Sequence, residues 1–269
     1  MGLNMETIKT LREKSGAGMV DCKKALEEAN GDIDMAVEVL RKRGIAKAAK
    51  RTDRETSEGV IKLSTNDEGT EGYILEINAE TDFVVRNSKF QDFADKVIDI
   101  AKTSRPQNLE ELLNLNMDKG TVKDALDSLS GIIGEKMTIK RFDALSIDGT
   151  VGAYSHLGGQ KGVLVALNKK GEKDLAYDIA MQVAAANPRY IDRSEIPAEE
   201  IAKEKEIYNE QLAKEGKPAN IVEKIIEGKI SKFFEEVCLV DQDFIKDDSK
   251  KIRDILGDAK IIKFIRYSL

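Results

Sequence analysis

The feature that most constrains the fold of this chain is an imperfect duplication spread over its middle and C-terminal parts. Val60-Ile61-Lys62-Leu63 and Tyr73-Ile74-Leu75-Glu76-Ile77-Asn78 flank Asn66-Asp67-Glu68-Gly69. Two β-prone runs around a turn signal predict a β-hairpin. A helix is expected next, with Ser88 and Gln91 spaced as a capping box and Phe90, Phe93, Ala94, Val97 and Ala101 as its buried stripe. The order then recurs. Gly152-Ala153-Tyr154-Ser155 leads through Gly158-Gly159 to Val163-Leu164-Val165-Ala166-Leu167-Asn168, and a helix carrying Leu175, Ala176, Ile179 and Val183 follows. Each copy also owns a late strand, residues 137–142 in the first and 261–267 in the second. The expected class is α+β: a duplicated core of two small antiparallel sheets, each with helices on one face.

The copies differ in two places. Between hairpin and helix the first holds Glu80-Thr81-Asp82-Phe83-Val84-Val85-Arg86-Asn87, where the second has only Lys169-Lys170-Gly171-Glu172. Between helix and last strand the second holds a long helical insertion. Ser194 and Pro197 suit a helix start, Ile201, Tyr208 and Leu212 fall at heptad-like steps, and Gly216-Lys217-Pro218 turns the chain. Ile221, Ile225, Ile226, Phe233, Phe234 and Val237 line the return helix, so an antiparallel helical hairpin is expected.

Residues 5–44 read as three short helices. Met5, Ile8 and Leu11 share a face of the first, which stops at Gly16-Ala17-Gly18. Cys22, Ala25, Leu26 and Ala29 follow the spacing of a half-buried helix, which Asn30-Gly31 ends. Asp32 is placed to cap the third, where Ile33, Ala36, Val37 and Leu40 repeat the spacing and Gly44 marks the stop. The polar stretch from Lys47 to Arg54 reads as a linker.

Composition narrows the function. The net charge of −6 opposes nucleic-acid binding, which needs a positive field to displace counterions. The absence of Trp and an aromatic content of 5% leave little for base stacking. Cys22 and Cys238 are far apart and form no CxxC, as expected of reduced thiols. No apolar run approaches a membrane span and the start resembles no signal peptide, so a soluble cytoplasmic protein is expected. His156 is the single histidine, without a GxSxG elbow to serve. Gly158-Gly159-Gln160-Lys161-Gly162 lacks P-loop spacing, and no His/Cys or Asp-rich pattern suits zinc or calcium. No catalytic residue, metal ligand or cofactor is expected, and the 49 acidic residues make chance carboxylate pairs commonplace.

The segment Leu11-Arg12-Glu13-Lys14-Ser15-Gly16-Ala17-Gly18-Met19-Val20-Asp21-Cys22-Lys23-Lys24-Ala25-Leu26 resembles the N-terminal module of the bacterial elongation factor Ts family. Thr81-Asp82-Phe83-Val84-Val85-Arg86-Asn87 resembles that family's second signature, ahead of a Phe-rich helix as here. Both motifs are long and specific, and the order of modules agrees over essentially the whole chain. The resemblance implies a ubiquitin-associated-like module and linker at 1–54 and core subdomains at 55–146 and at 147–190 with 240–269. It further implies a coiled-coil hairpin at 191–239. Many family members continue beyond the last strand into a C-terminal helical module, whereas this chain stops at Leu269. Weaker affinity or turnover is the expected consequence.

The same resemblance implies a guanine-nucleotide exchange factor, not an enzyme, whose partner is the GTPase elongation factor Tu. Arg12, Met19, Val20 and Lys23 would grip the partner's nucleotide-binding domain. Thr81, Asp82, Phe83 and Val84 would insert beside its Mg²⁺ and phosphate site. Ile133 is a further contact position, and His156 would face the partner's third domain. Each residue also has a plainer reading: Met19 and Val20 as a hydrophobic staple, Phe83 as a core aromatic, Asp82 as a helix cap, Ile133 as core, His156 as a solvated turn residue. Cys22, on the buried stripe, reads as core. Whether the hairpin forms a homodimer, docks on the partner or serves a 2:2 complex stays open. Two other classes compete: a ubiquitin-like-binding adaptor, which leaves the TDFVVRN corner unused, and a carboxylate hydrolase, testable by turnover without a GTPase.

Overall fold

The computed structural model describes residues 4–48, 51, 53–215 and 218–269. At the N-terminus Asn4 caps α1 (Met5–Ser15), accepting from the Thr7 N–H at 2.7 Å. Gly16, at φ 76°, closes it through a bond to the Arg12 carbonyl. Helix α2 (Met19–Glu28) ends at Asn30 and Gly31, both left-handed, and Asp32 caps α3 by accepting from Met35 N–H at 2.9 Å. The expected stripes meet in a small core of Ile8, Leu11, Cys22, Ala25, Leu26, Ala29, Ala36 and Leu40. At 0% exposure Cys22 is core, as its position on the stripe implies.

One expectation fails here. Gly44 does not stop α3, which runs Ile33–Ala48. Glycine lowers helix propensity by only about 1 kcal/mol, and packing against a later helix offsets that. The supposed linker is also tied down at its described positions. Arg51 Nη1 donates to the Ser130 carbonyl at 3.1 Å, and Arg54 pairs with Glu80 at 3.1 Å. Residues 49, 50 and 52, and Gly216-Lys217 of the expected hairpin turn, lie outside the described residues.

Both copies of the duplicated unit form three-stranded antiparallel sheets of the same order. The first is β1 (Glu58–Thr65), β2 (Glu71–Ala79) and β5 (Met137–Ser146), with Val60 opposite Ile77. The second is β6 (Thr150–His156), β7 (Lys161–Leu167) and β10 (Ile261–Ser268). Because strand side chains alternate, one face of each sheet meets helices and the other meets the other sheet. Tyr73, Leu75 and Ile77 turn toward Phe90, Phe93, Ala94 and Val97 of α5 (Ser88–Ser104). Val163, Val165 and Leu167 turn toward Ala176, Ile179 and Val183 of α8 (Lys173–Ala186). Between the sheets, Ile61, Ile74 and Leu145 pack against Val151, Leu164, Ala166 and Ile265. The result is four layers, helices outside and two sheets back to back. Complete burial of such side chains stabilises by about 1.5–3 kcal/mol each.

The duplication reaches further than the sequence patterns suggest. After α5 the first copy adds α6 (Leu109–Asn114), the short ladder β3 (Asn116–Met117) with β4 (Gly120–Thr121), and α7 (Val122–Ile133). The second copy adds β8 (Asp243–Phe244), β9 (Asp247–Lys251) and α11 (Ile252–Leu256) ahead of β10. The two-residue strands β3, β4 and β8 leave no periodicity to read, and the five residues of β9 are all polar or charged. Within the insertion, Ser194 falls in a 3-10 turn capped by Asp192, and α9 (Ala198–Lys214) begins only after Pro197. α10 (Ala219–Val237) returns against it, with Ile196 and Ile201 beside Phe233 and Phe234 at the base. Farther out, Lys229 lies over the Tyr208 ring, 5.2 Å from its centroid. Among the described residues no helix is long and apolar enough to cross a membrane.

Candidate functional site

The sequence difference between the two copies becomes a corner in the structure. Strand β2 delivers Ala79 opposite Glu58, and the chain turns through Glu80 and Thr81 into a one-turn helix, α4 (Asp82–Val85), before α5. Both residues entering the turn are held from the far side. Glu80 accepts from the Lys136 N–H at 2.5 Å and pairs with Arg54. The Lys136 N–H, with the Arg54 charge behind it, holds the Glu80 carboxyl below the usual carboxylate range, against a smaller opposing effect of burial. Thr81 donates its N–H and hydroxyl to the Glu135 carboxylate at 3.1 and 2.9 Å. The Thr81 hydroxyl also takes up the Val84 N–H as the cap of α4. Asp82 is therefore the first helical residue, not the cap, and its carboxylate reaches Arg86 at 3.0 Å.

The exit is fixed too. Ser88 and Gln91 do not form the expected capping box. Asn87 caps α5 instead, accepting from Lys89 N–H at 2.9 Å, while Gln91 Nε2 donates to the Val85 carbonyl at 2.6 Å. Asn87, one position earlier, keeps the extended backbone that a cap requires, and Ser88 is already the first helical residue, so the Asn side chain takes the free N–H group. Beneath the corner, Val84 is 7% exposed and joins the apolar core. Phe83 stands out of it at 81% exposure. A phenyl ring so open gains nothing from the fold that carries it, so its plainer reading as a core aromatic fails.

The other predicted residues fall around this corner in part. On α1 and α2, Arg12 and Lys23 are exposed, and Lys23 lies 3.9 Å from Glu27. Met19 and Val20 are 37% and 66% exposed at the start of α2. Met19 is already helical behind the Gly18 cap, so neither residue occupies the position before the cap that a staple requires. Lys89, next to the corner, reaches back to Gly16, and with Arg12 it lines one surface depression. Ile133 is half-buried against the core at the end of α7, two residues before Glu135.

His156 ends β6, exposed, with its Nδ1 3.0 Å from the Tyr154 hydroxyl and the two rings stacked at 5.9 Å. Its turn sits beside the first strand, because Ile61 N–H donates to the Gly159 carbonyl at 2.7 Å. Strand β1 thus links the His156 turn to the strand end from which the corner springs. The sequence reading missed Leu157, 63% exposed and left-handed at φ 51°. Its signal was an apolar side chain inside a polar, glycine-rich turn. Also missed were the anchors Glu80, Glu135, Arg54 and Lys136. Glu135 alone carried a cue, a carboxylate directly after the helix-ending Gly134.

Comparison with known proteins agrees with this layout. The family description "Elongation factor TS" matches residues 80–269, a span that opens at the corner. The protein named Elongation factor Ts from a Nitratiruptor species is 47% identical over 285 aligned residues, covering 100% of this chain and 93% of the relative. With a family match over most of its length and a relative this similar from end to end, the chain belongs to the elongation factor Ts family.

Proposed function

We propose that this chain is a cytoplasmic guanine-nucleotide exchange factor for elongation factor Tu, working by non-covalent displacement. The observation that carries the reading is an aromatic side chain 81% exposed on a corner held on both sides by buried or paired groups. Presented to a GTPase, Phe83 fills an apolar gap between two partner helices and is buried with a gain of about 1.5–3 kcal/mol. That gain is available only when the helices part, which displaces the elements holding Mg²⁺ and the β-phosphate. Asp82, whose charge lies on the same exposed turn, accompanies the ring toward the metal. Affinities are linked reciprocally: a chain that weakens GDP binding by some factor is itself weakened by GDP to the same extent. No nucleotide has to touch the chain.

The remaining residues serve as grips on the same reading. Arg12, Met19, Val20 and Lys23 hold the nucleotide-binding domain, Ile133 supports the corner side, and His156, with Leu157, meets the third domain. The division at 1–54, 55–146, 147–190 with 240–269, and 191–239 follows these roles, with α9 and α10 as a coiled-coil arm. The test is stopped-flow release of a fluorescent GDP from elongation factor Tu, with and without the chain. Release that stays at its spontaneous rate at saturating chain would end this reading.

A further inference from the structure

The N-terminal helices carry their own apolar core and share no buried residue with the core under the corner. The two parts meet where α3 crosses α7. At the crossing Gly44 lies against Gly131. A methyl on Gly131 would overlap the Gly44 backbone, and one on Gly44 would come within 3.0 Å of the Ser128 carbonyl oxygen. Side-chain ties border the seam, Lys119 to Glu38 at 3.4 Å and Arg51 to the Ser130 carbonyl at 3.1 Å. At its far end α7 passes through Ile133 and Gly134 to Glu135, the residue that fixes Thr81. One helix therefore touches the N-terminal helices along its side and leads into the anchor of the corner at its end.

We propose that Gly44 and Gly131 are positioning residues. Their backbone contact sets the distance between the Met19/Val20 patch and Phe83, so that both reach one partner without a search after the first has bound. The inference rests on the exchange-factor reading and adds to it a rigid frame where the sequence suggests a tether. Pre-set geometry removes an ordering cost from binding, whereas a loose tether offers only a limited effective concentration. The seam therefore acts on how much chain is needed, and the corner acts on how fast GDP leaves once the complex has formed.

The decisive variant is Gly131→Ala. Alanine favours helix over glycine, so α7 itself is not weakened, and only the crossing is obstructed. Gly228→Ala on α10, where an added methyl meets nothing, is the control. Two readouts are taken on the full chain: tryptic cleavage after Arg51 and Arg54, and the concentration dependence of GDP release from elongation factor Tu. Gly131→Ala is expected to speed cleavage and to raise the half-saturating concentration about tenfold while the plateau release rate is kept. Gly228→Ala is expected to match the wild type in both. Unchanged cleavage, or faster cleavage with unchanged half-saturation, overturns the proposal. A wild-type chain that releases no GDP overturns the exchange reading instead, and the cleavage comparison still decides whether the glycines hold the seam.

Discussion

Truncating Phe83 to alanine separates the wedge from the frame that carries it. In the free chain the ring is 81% exposed, so Phe83→Ala removes almost no packing, and stability should stay within about 0.5 kcal/mol of wild type. The anchors of the corner, Glu80, Thr81, Val84 and Asn87, are untouched by the change. In the complex the same ring is worth about 1.5–3 kcal/mol if it is fully buried. At about 1.4 kcal/mol per tenfold, plateau GDP release should slow by about 10- to 150-fold. The assay loads elongation factor Tu with a fluorescent GDP and follows release against the concentration of the chain. The chain has no Trp, so any tryptophan-sensitised signal belongs to the partner. Half-saturation should move less than the plateau, because the grips on α1 and α2 are intact. A variant with native thermal stability and a native plateau rate would refute the wedge.

Other outcomes follow from the supports. Thr81→Val keeps the branched shape but loses the hydroxyl that binds Glu135 and caps α4. It should cost about 1–2 kcal/mol in denaturant unfolding and speed hydrogen exchange through residues 81–87. Arg141→Met removes the partner 2.6 Å from Glu76, a carboxylate at 0% exposure between the sheets. With Lys140 still 3.0 Å away, the loss should be about 3 kcal/mol, read as a lowered denaturation midpoint. Glu80 provides a pH test. Its folded pKa lies below the ordinary 4.5, so its contribution is present above that value and disappears as pH falls through the folded one. The stability advantage of wild type over Glu80→Gln should be full at neutral pH and shrink in acid, and an advantage independent of pH would contradict the assigned bonds.

Local pattern accounts for much of what was legible beforehand. The stripes of α1, α2, α5 and α8 and both hairpins obey periods of 3.6 and 2, which a sequence displays directly. The Thr81–Asn87 corner was visible because one copy of a duplicated unit has it and the other does not. Its anchoring was not visible. Thr81 and Glu135 are 54 residues apart, with α4 to α7 between them, and nothing in either neighbourhood announces the pairing. Asn87 displaced the expected Ser88 cap because neighbouring polar residues compete for the same few N–H groups, and geometry chooses between them.

By itself, then, the sequence determined the class of the fold, the repeated unit and the corner that one copy has and the other lacks, since each rests on local patterns that can be read and compared along the chain. The exposure of Phe83 on that corner was decided by the structure. Tertiary structure alone decided that the two sheets stack back to back, which is why the β2 and β7 strands are covered on both faces. It also decided the meaning of Gly44. Read locally, a glycine after an apolar stripe ends a helix. Once Gly131 lies against it, the missing side chain is what lets two helix backbones touch. No window of sequence contains both residues, so only the folded chain could supply that reason.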